Sequence, residues 1–135
     1  MNEIANLLFS NEAFYLVFRN RDLAGMDALW AGREDVSCIH PGWDALLTRE
    51  DVMESWRGIL GNAGSPAVTC RDARARIQGE TGMVVCYEQL GPSVLVATNI
   101  FVREGAGWKM VHHQAGPCQA TPEQFGEDPE PPPVQ

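Results

Sequence analysis

The apolar positions along the chain change period at Pro66. Ahead of it they recur every three to four residues, the spacing of helices that bury one face. Residues 10–20 open with Ser10 as an N-cap, carry Glu12 in the first turn, and place Phe14, Leu16, Val17 and Phe18 in a buried helix. Asp22 caps a short second helix in which Leu23, Met26 and Trp30 keep helical spacing, and Gly32 ends it. A short strand at 35–40 stops at Pro41-Gly42. Thr48 and Asp51 form a near capping box for a third helix. Its Val52, Trp56, Ile59 and Leu60 make an amphipathic stripe, and the breaker at 62–66 stops it.

Beyond Pro66 come four runs rich in β-branched residues, at 67–78, 83–90, 94–103 and 108–115. The connections at 79–82, 91–93 and 104–107 are short and glycine-bearing, so the economical arrangement is an antiparallel meander. Helices first and strands after predict an α+β domain, with the helices on one face of an antiparallel sheet.

Length and charge refine this picture. A chain of 135 residues suits one domain, and its 44% hydrophobic content supports a core without staples. Ten Lys+Arg against eighteen Asp+Glu give a net charge of −8, which argues against nucleic acid, since phosphate neutralisation needs a basic face. No run reaches the roughly 18 apolar residues of a membrane span, and the N-terminus shows no basic-then-apolar leader, so a cytoplasmic location is expected. Four of the acids and five of the nine prolines follow Thr121, and no Lys or Arg follows Lys109. Residues 1–120 are therefore expected to fold, and 121–135 to form an acidic, Pro-rich flexible tail. Its proline run at 131–133 is also compatible with a polyproline ligand. Nine of the ten basic residues are Arg; on an unbroken strand Arg71 faces one side, and Arg74 and Arg76 the other. That cluster fits a solvated face, an interface or an anion contact. The cysteines at 38, 70, 86 and 118 show no metal-ligand spacing and read as free thiols.

Three features carry candidate chemistry. His40-Pro41-Gly42-Trp43 lies where the first strand ends, and His40 has the side chain for a general base or a hydrogen-bond donor to a ligand. Its plainer role is to satisfy backbone groups at the strand end. Trp30, Trp43 and Trp56 bring three indoles from three segments, suited either to lining a pocket or to sealing a core. In the last strand, alternation groups Trp108, Met110, His112 and Gln114 on one face, so that only one of His112 and His113 points into a pocket, and it is His112 if that face is the concave one. Glu88, inside an apolar run, reads either as a raised-pKa acid or as an ion-pair partner for a strand arginine. No phosphate loop, dinucleotide fingerprint or metal spacing is present, so no cofactor and no metal are expected.

The order of helices and strands, the H-P-G-W stretch before the third helix, and the last strand G-W-K-M-V-H-H-Q-A-G-P together resemble the nuclear transport factor 2-like superfamily, SnoaL-like branch. The chain is also similar to the association domain of calcium/calmodulin-dependent kinase. The resemblance implies a cystatin-like, cone-shaped curved sheet wrapped by three helices, a deep hydrophobic pocket, and a homodimer through the sheet's outer side. Members of the superfamily range from isomerases, dehydratases and cyclases to non-enzymatic proteins. Where the isomerase carries a base in an Asp-Pro dipeptide, this chain has His40-Pro41, and Tyr15 falls where its oxyanion Tyr lies. The expected pocket is thus Tyr15, Trp30, Trp43, Trp56, His112 and Gln114. The expected function is small-molecule binding or assembly; the alternative is a lyase, isomerase or cyclase with His40 as general base.

Overall fold

The structure, a computed structural model, describes residues 2–126. Three helices come first: α1 (Glu3–Arg19), α2 (Leu23–Leu29) and α3 (Arg49–Gly61), with β1 (Ser37–Ile39) between the last two. Four long strands follow, β2 (Thr69–Gln78), β3 (Thr81–Leu90), β4 (Ser93–Glu104) and β5 (Gly107–Pro117), and then a short 3₁₀ turn, Pro122–Phe125. The α+β reading, with its meander, holds.

Two expectations need correction. The first helix starts at Glu3, not near Ser10. Asn2 is its cap, accepting the Ile4 N–H at 2.8 Å, while Ser10 Oγ bonds back to the Asn6 carbonyl from within the helix. The sheet is also mixed rather than purely antiparallel. Its order is β1-β5-β4-β3-β2, and β1 pairs parallel to β5. A strand as short as β1 showed no signal of direction in its side chains.

The helices cover one face of this curved sheet. Phe14, Met26, Trp30, Val52 and Trp56 from the helical half meet Val84, Phe101 and Met110 from the strands in one core. Gly82 lets α1 settle on β3: a Cβ there would stand 2.7 Å from Leu7 Cδ2. The Arg49 guanidinium ties α3 to the end of α2, donating to the Ala31 carbonyl and to the Asp27 carboxylate, each at 2.9 Å.

Bulges set which side chains face that core. In β5, Met110 pairs with Phe101 and His112 with Ile100, so Val111 is an extra residue and the alternation shifts by one beyond it. In β2 the register shifts between Arg71 and Arg74, where Asp72 takes a left-handed φ of 51°. Arg71, Arg74 and Arg76 then pair with Tyr87, Val85 and Met83, all on the outer face, which replaces the split expected from simple alternation. At the C-terminus, Pro122–Phe125 is ordered against the sheet, with the Phe125 ring 5.2 Å from that of Tyr87. The rest of the expected tail, 127–135, lies outside the described residues.

Candidate functional site

One turn of α1 separates Asn11 from Tyr15, so both aim at the inner face of the sheet. There they meet Glu88 of β3, Asn99 of β4 and His113 of β5, and all five are buried. Tyr15 donates its hydroxyl hydrogen to Glu88 Oε2 at 2.7 Å. Asn99 Nδ2 donates to Asn11 Oδ1 at 2.8 Å and to Tyr15 OH at 3.1 Å. Its Oδ1 accepts from His113 Nδ1 at 2.5 Å. That bond leaves the lone pair of a neutral imidazole on Nε2, 3.7 Å from Glu88 Oε2.

The electrostatics follow from burial. Desolvation lifts the Glu88 carboxyl to about 7, against the opposing hydrogen bond from Tyr15. It pushes His113 down to about 3, with His40 and His112 adding to the effect, so His113 and Glu88 do not form an ion pair at neutral pH. The Tyr15 phenol is driven up by burial and by the neighbouring Glu88. Glu88 thus sits between Tyr15 and His113, not against a strand arginine as one sequence reading had it. A carboxyl with this pKa near neutrality can both give and take a proton.

The other expected pocket residues scatter. His112 is placed by the β5 bulge on the outer face, where Nδ1 lies 2.7 Å from Ser37 Oγ, and Gln114 on the same face is exposed. The inward histidine is His113. Trp30 and Trp56 are sealed core, and neither indole N–H has a hydrogen-bond partner among the described residues. Tyr15 does point inward.

His40 heads a second, separate arrangement. His40-Pro41-Gly42-Trp43 closes as a β-turn, with Trp43 N–H donating to the His40 carbonyl at 2.9 Å and Gly42 at a φ of 82°. Pro at the second position and a left-handed Gly at the third are the demands of a type II turn. The turn lays the Trp43 indole edge-on to the His40 ring, centroids 4.8 Å apart, and leaves it 49% exposed. Ser55 Oγ gives its hydrogen to the Val52 carbonyl at 2.6 Å, so it receives one from His40 Nε2 at 2.9 Å. Burial lowers His40 to about 4. The ring is therefore neutral at pH 7, and a weak base. Beside Ser55 runs a groove of about 550 Å³ between α3 and the turn, lined by Trp43, Leu46, Ser55, Gly58 and Ile59 together with the polar Asp51, Glu54, Asn62 and Ser65. The lining residues of α3 recur at helical spacing, which is why one helix supplies most of a wall.

Among the described residues, no group of three His, Cys, Asp or Glu side chains is arranged to hold a metal ion. Asn11 and Asn99 were missed in the sequence, although an Asn inside an apolar helix and another inside V-L-V-A-T-N-I-F-V were the visible signals, and His113 was set aside in favour of His112.

Comparison with known families decides the lineage, because residues 9–118 match the SnoaL-like domain. The chain belongs to that family. Its fold is that of the nuclear transport factor 2-like, cystatin-like proteins. A candidate dehydratase of the nuclear transport factor 2-like family from Streptomyces avermitilis is 32% identical, with a TM-score of 0.79 over 87% of this chain and 96% of that one. A candidate calcium/calmodulin-dependent protein kinase type II association domain from Thiobacillus denitrificans is 33% identical, with a TM-score of 0.71 over 82% and 93%. The F-box protein SKIP8 of Arabidopsis thaliana is 26% identical over 107 residues. That match takes in 78% of this SnoaL-like chain but 46% of the plant protein, so the chain spans about half its length.

Proposed function

We propose that this SnoaL-like chain is a homodimeric binding module that takes a small apolar ligand in the groove beside Trp43. The observation that carries the reading is the contrast between its two polar arrangements. Inside the cone, Tyr15, Glu88, Asn99, Asn11 and His113 satisfy one another at full burial, so a ligand entering there has to break several hydrogen bonds. At the groove, the half-exposed Trp43 indole, Leu46 and Ile59 stand beside Ser55, which is hydrogen-bonded from behind by His40. Asp51, Glu54, Asn62 and Ser65 complete the lining, so an apolar wall and open polar groups are both within a ligand's reach. Pairing of two copies is supported by the outer face of the sheet, which carries Met83, Val85, Ile100 and Val102 with no helix over them among the described residues, and by the likeness to an association domain.

A thermal-shift screen of small aromatic compounds tests the binding. A ligand present at a hundred times its dissociation constant adds about 2.7 kcal/mol to the folding free energy. The shift is expected to shrink in Ser55→Ala and His40→Ala, and equal shifts in both variants and the wild type remove the groove from consideration.

A second reading, acid–base chemistry of the isomerase or lyase type, is favoured by one observation, the neutral-range Glu88 held by Tyr15. His40, at about 4, suits general-base work poorly. On this reading Glu88, not His40, is the proton carrier, and Glu88→Gln abolishes turnover.

A further inference from the structure

The groove beside Trp43 is electrically one-sided. Among the described residues two carboxylates line it, those of Asp51 and Glu54 on α3, and no Lys or Arg side chain does. Glu54 meets Arg57 in an exposed pair, whereas Asp51 has no ion-pair partner among the described residues. An acid in the first turn of a helix has a plainer role, offsetting the positive helix end. Glu50 supplies that role from outside the groove lining, which leaves the Asp51 charge to the groove. The Arg21 guanidinium is committed at the far end of α3, where it donates to the carbonyls of Asn62, Ala63 and Ser65. From Asp51 to Asn62 the helix runs roughly 16 Å, so that positive charge and the Asp51 carboxylate stand at opposite ends.

The aromatic wall lies at the acidic end. Ser55 is one turn along α3 from Asp51, and His40, hydrogen-bonded to Ser55, packs against Trp43. The half-exposed indole and the Asp51 carboxylate therefore flank the same stretch of groove. His40 brings no opposing charge, because burial keeps its ring neutral at pH 7.

We propose that the groove takes an organic cation, its ammonium head between Asp51 and the Trp43 indole and its apolar body against Leu46 and Ile59. The proposal rests on the groove reading above and adds the charge and orientation of the ligand. Charge complementarity carries it. A carboxylate attracts the head directly, and an indole face attracts an ammonium through the ring quadrupole. An apolar chain or ring on the cation then covers the uncharged remainder of the wall.

Amide chemical-shift titrations of the full chain at pH 7 and low salt test this. The probes are phenethylammonium, phenethyl alcohol and hydrocinnamate, which put a positive, a neutral and a negative end on one aromatic body. The ammonium is expected to bind roughly fivefold more tightly than the alcohol, the sum of one exposed ion pair and one exposed cation–π contact. The carboxylate is expected to bind least, and Trp43, Ser55 and Ile59 to move most. Asp51→Asn is expected to bring the ammonium close to the alcohol while the affinity for the alcohol stays, which shows that the variant keeps its fold. Asp51→Glu is expected to restore the preference, and Trp43→Leu to weaken the ammonium more than the alcohol.

Equal binding of ammonium and alcohol at the groove residues, or a preference for the carboxylate, overturns the charge assignment and leaves the groove reading standing. An ammonium preference that survives Asp51→Asn belongs to the overall net charge of −8, and overturns the proposal as well. If no probe moves Trp43, Ser55 or Ile59, the groove reading itself fails and takes this inference with it.

Discussion

The phenol of Tyr15 and the carboxyl of Glu88 share a 2.7 Å hydrogen bond between α1 and β3, at a depth where Glu88 titrates near 7 rather than in the usual carboxylate range. A helix and a strand far apart in sequence are thereby joined by a group that folding protonates. This gives the chain an unusual dependence on pH.

A carboxyl whose folded pKa is raised stabilises the fold relative to its ionised form below its unfolded pKa, and that contribution is lost as pH rises through the folded value. For Glu88 the loss runs from about 4.5 to about 7. At about 1.4 kcal/mol per unit it is of the order of 3 kcal/mol. Glu88→Gln keeps an acceptor for Tyr15 without a charge, so the variant is expected to be the more stable protein at pH 8 and close to wild type at pH 4.5. Urea melts at the two pH values check this.

The buried imidazoles act in the opposite sense. His40 and His113 titrate at about 4 and about 3 when folded, below their ordinary 6.5, so the unfolded chain takes up protons first and stability falls as pH drops below 6.5. Two histidines outweigh one carboxyl between 4.5 and 6.5, and Glu88 alone acts just above. The expected profile of melting temperature therefore peaks near pH 6.5. His113→Gln flattens its acid limb.

Gly82 makes a packing prediction. A methyl group there meets the buried Leu7 at 2.7 Å, and Gly82→Ala is expected to cost about 1–3 kcal/mol through overpacking. Thermal unfolding of that variant together with Leu7→Val, which frees the space, is expected to recover part of the loss.

Gly58 makes the reverse one. It sits in the interior of α3, and a Cβ there has no neighbour within 4 Å. Gly58→Ala is expected to stabilise by roughly 0.5–1 kcal/mol on helix propensity alone. Gly58→Phe fills the groove wall and is expected to abolish ligand-induced stabilisation while the fold persists.

Much of the fold was legible because its signals are local. The capping Thr48 with its Asp51 and the stripe from Val52 to Leu60 marked α3 without reference to anything distant. The helix start at Asn2 was harder, since Ser10 is a good cap by type and only the continuing backbone hydrogen bonds place it inside α1. The site was legible in part. Tyr15 and the H-P-G-W turn stood out, but one inserted residue, Val111, exchanged His112 for His113. A bulge depends on how two strands register against each other, and period counting along one strand has no access to that. Glu88 and Asn99 were visible as polar residues in apolar runs, yet their partners come from α1, some 70 to 90 residues away in sequence.

Amide chemical-shift mapping during titration with an aromatic fragment found by the thermal-shift screen tests the central claim most directly. Binding in the groove predicts shifts concentrated on Trp43, Ser55, Gly58 and Ile59, with Tyr15, Glu88 and Asn99 unmoved. Shifts concentrated on Tyr15, Glu88, Asn99 and His113 would contradict it and place the ligand inside the cone.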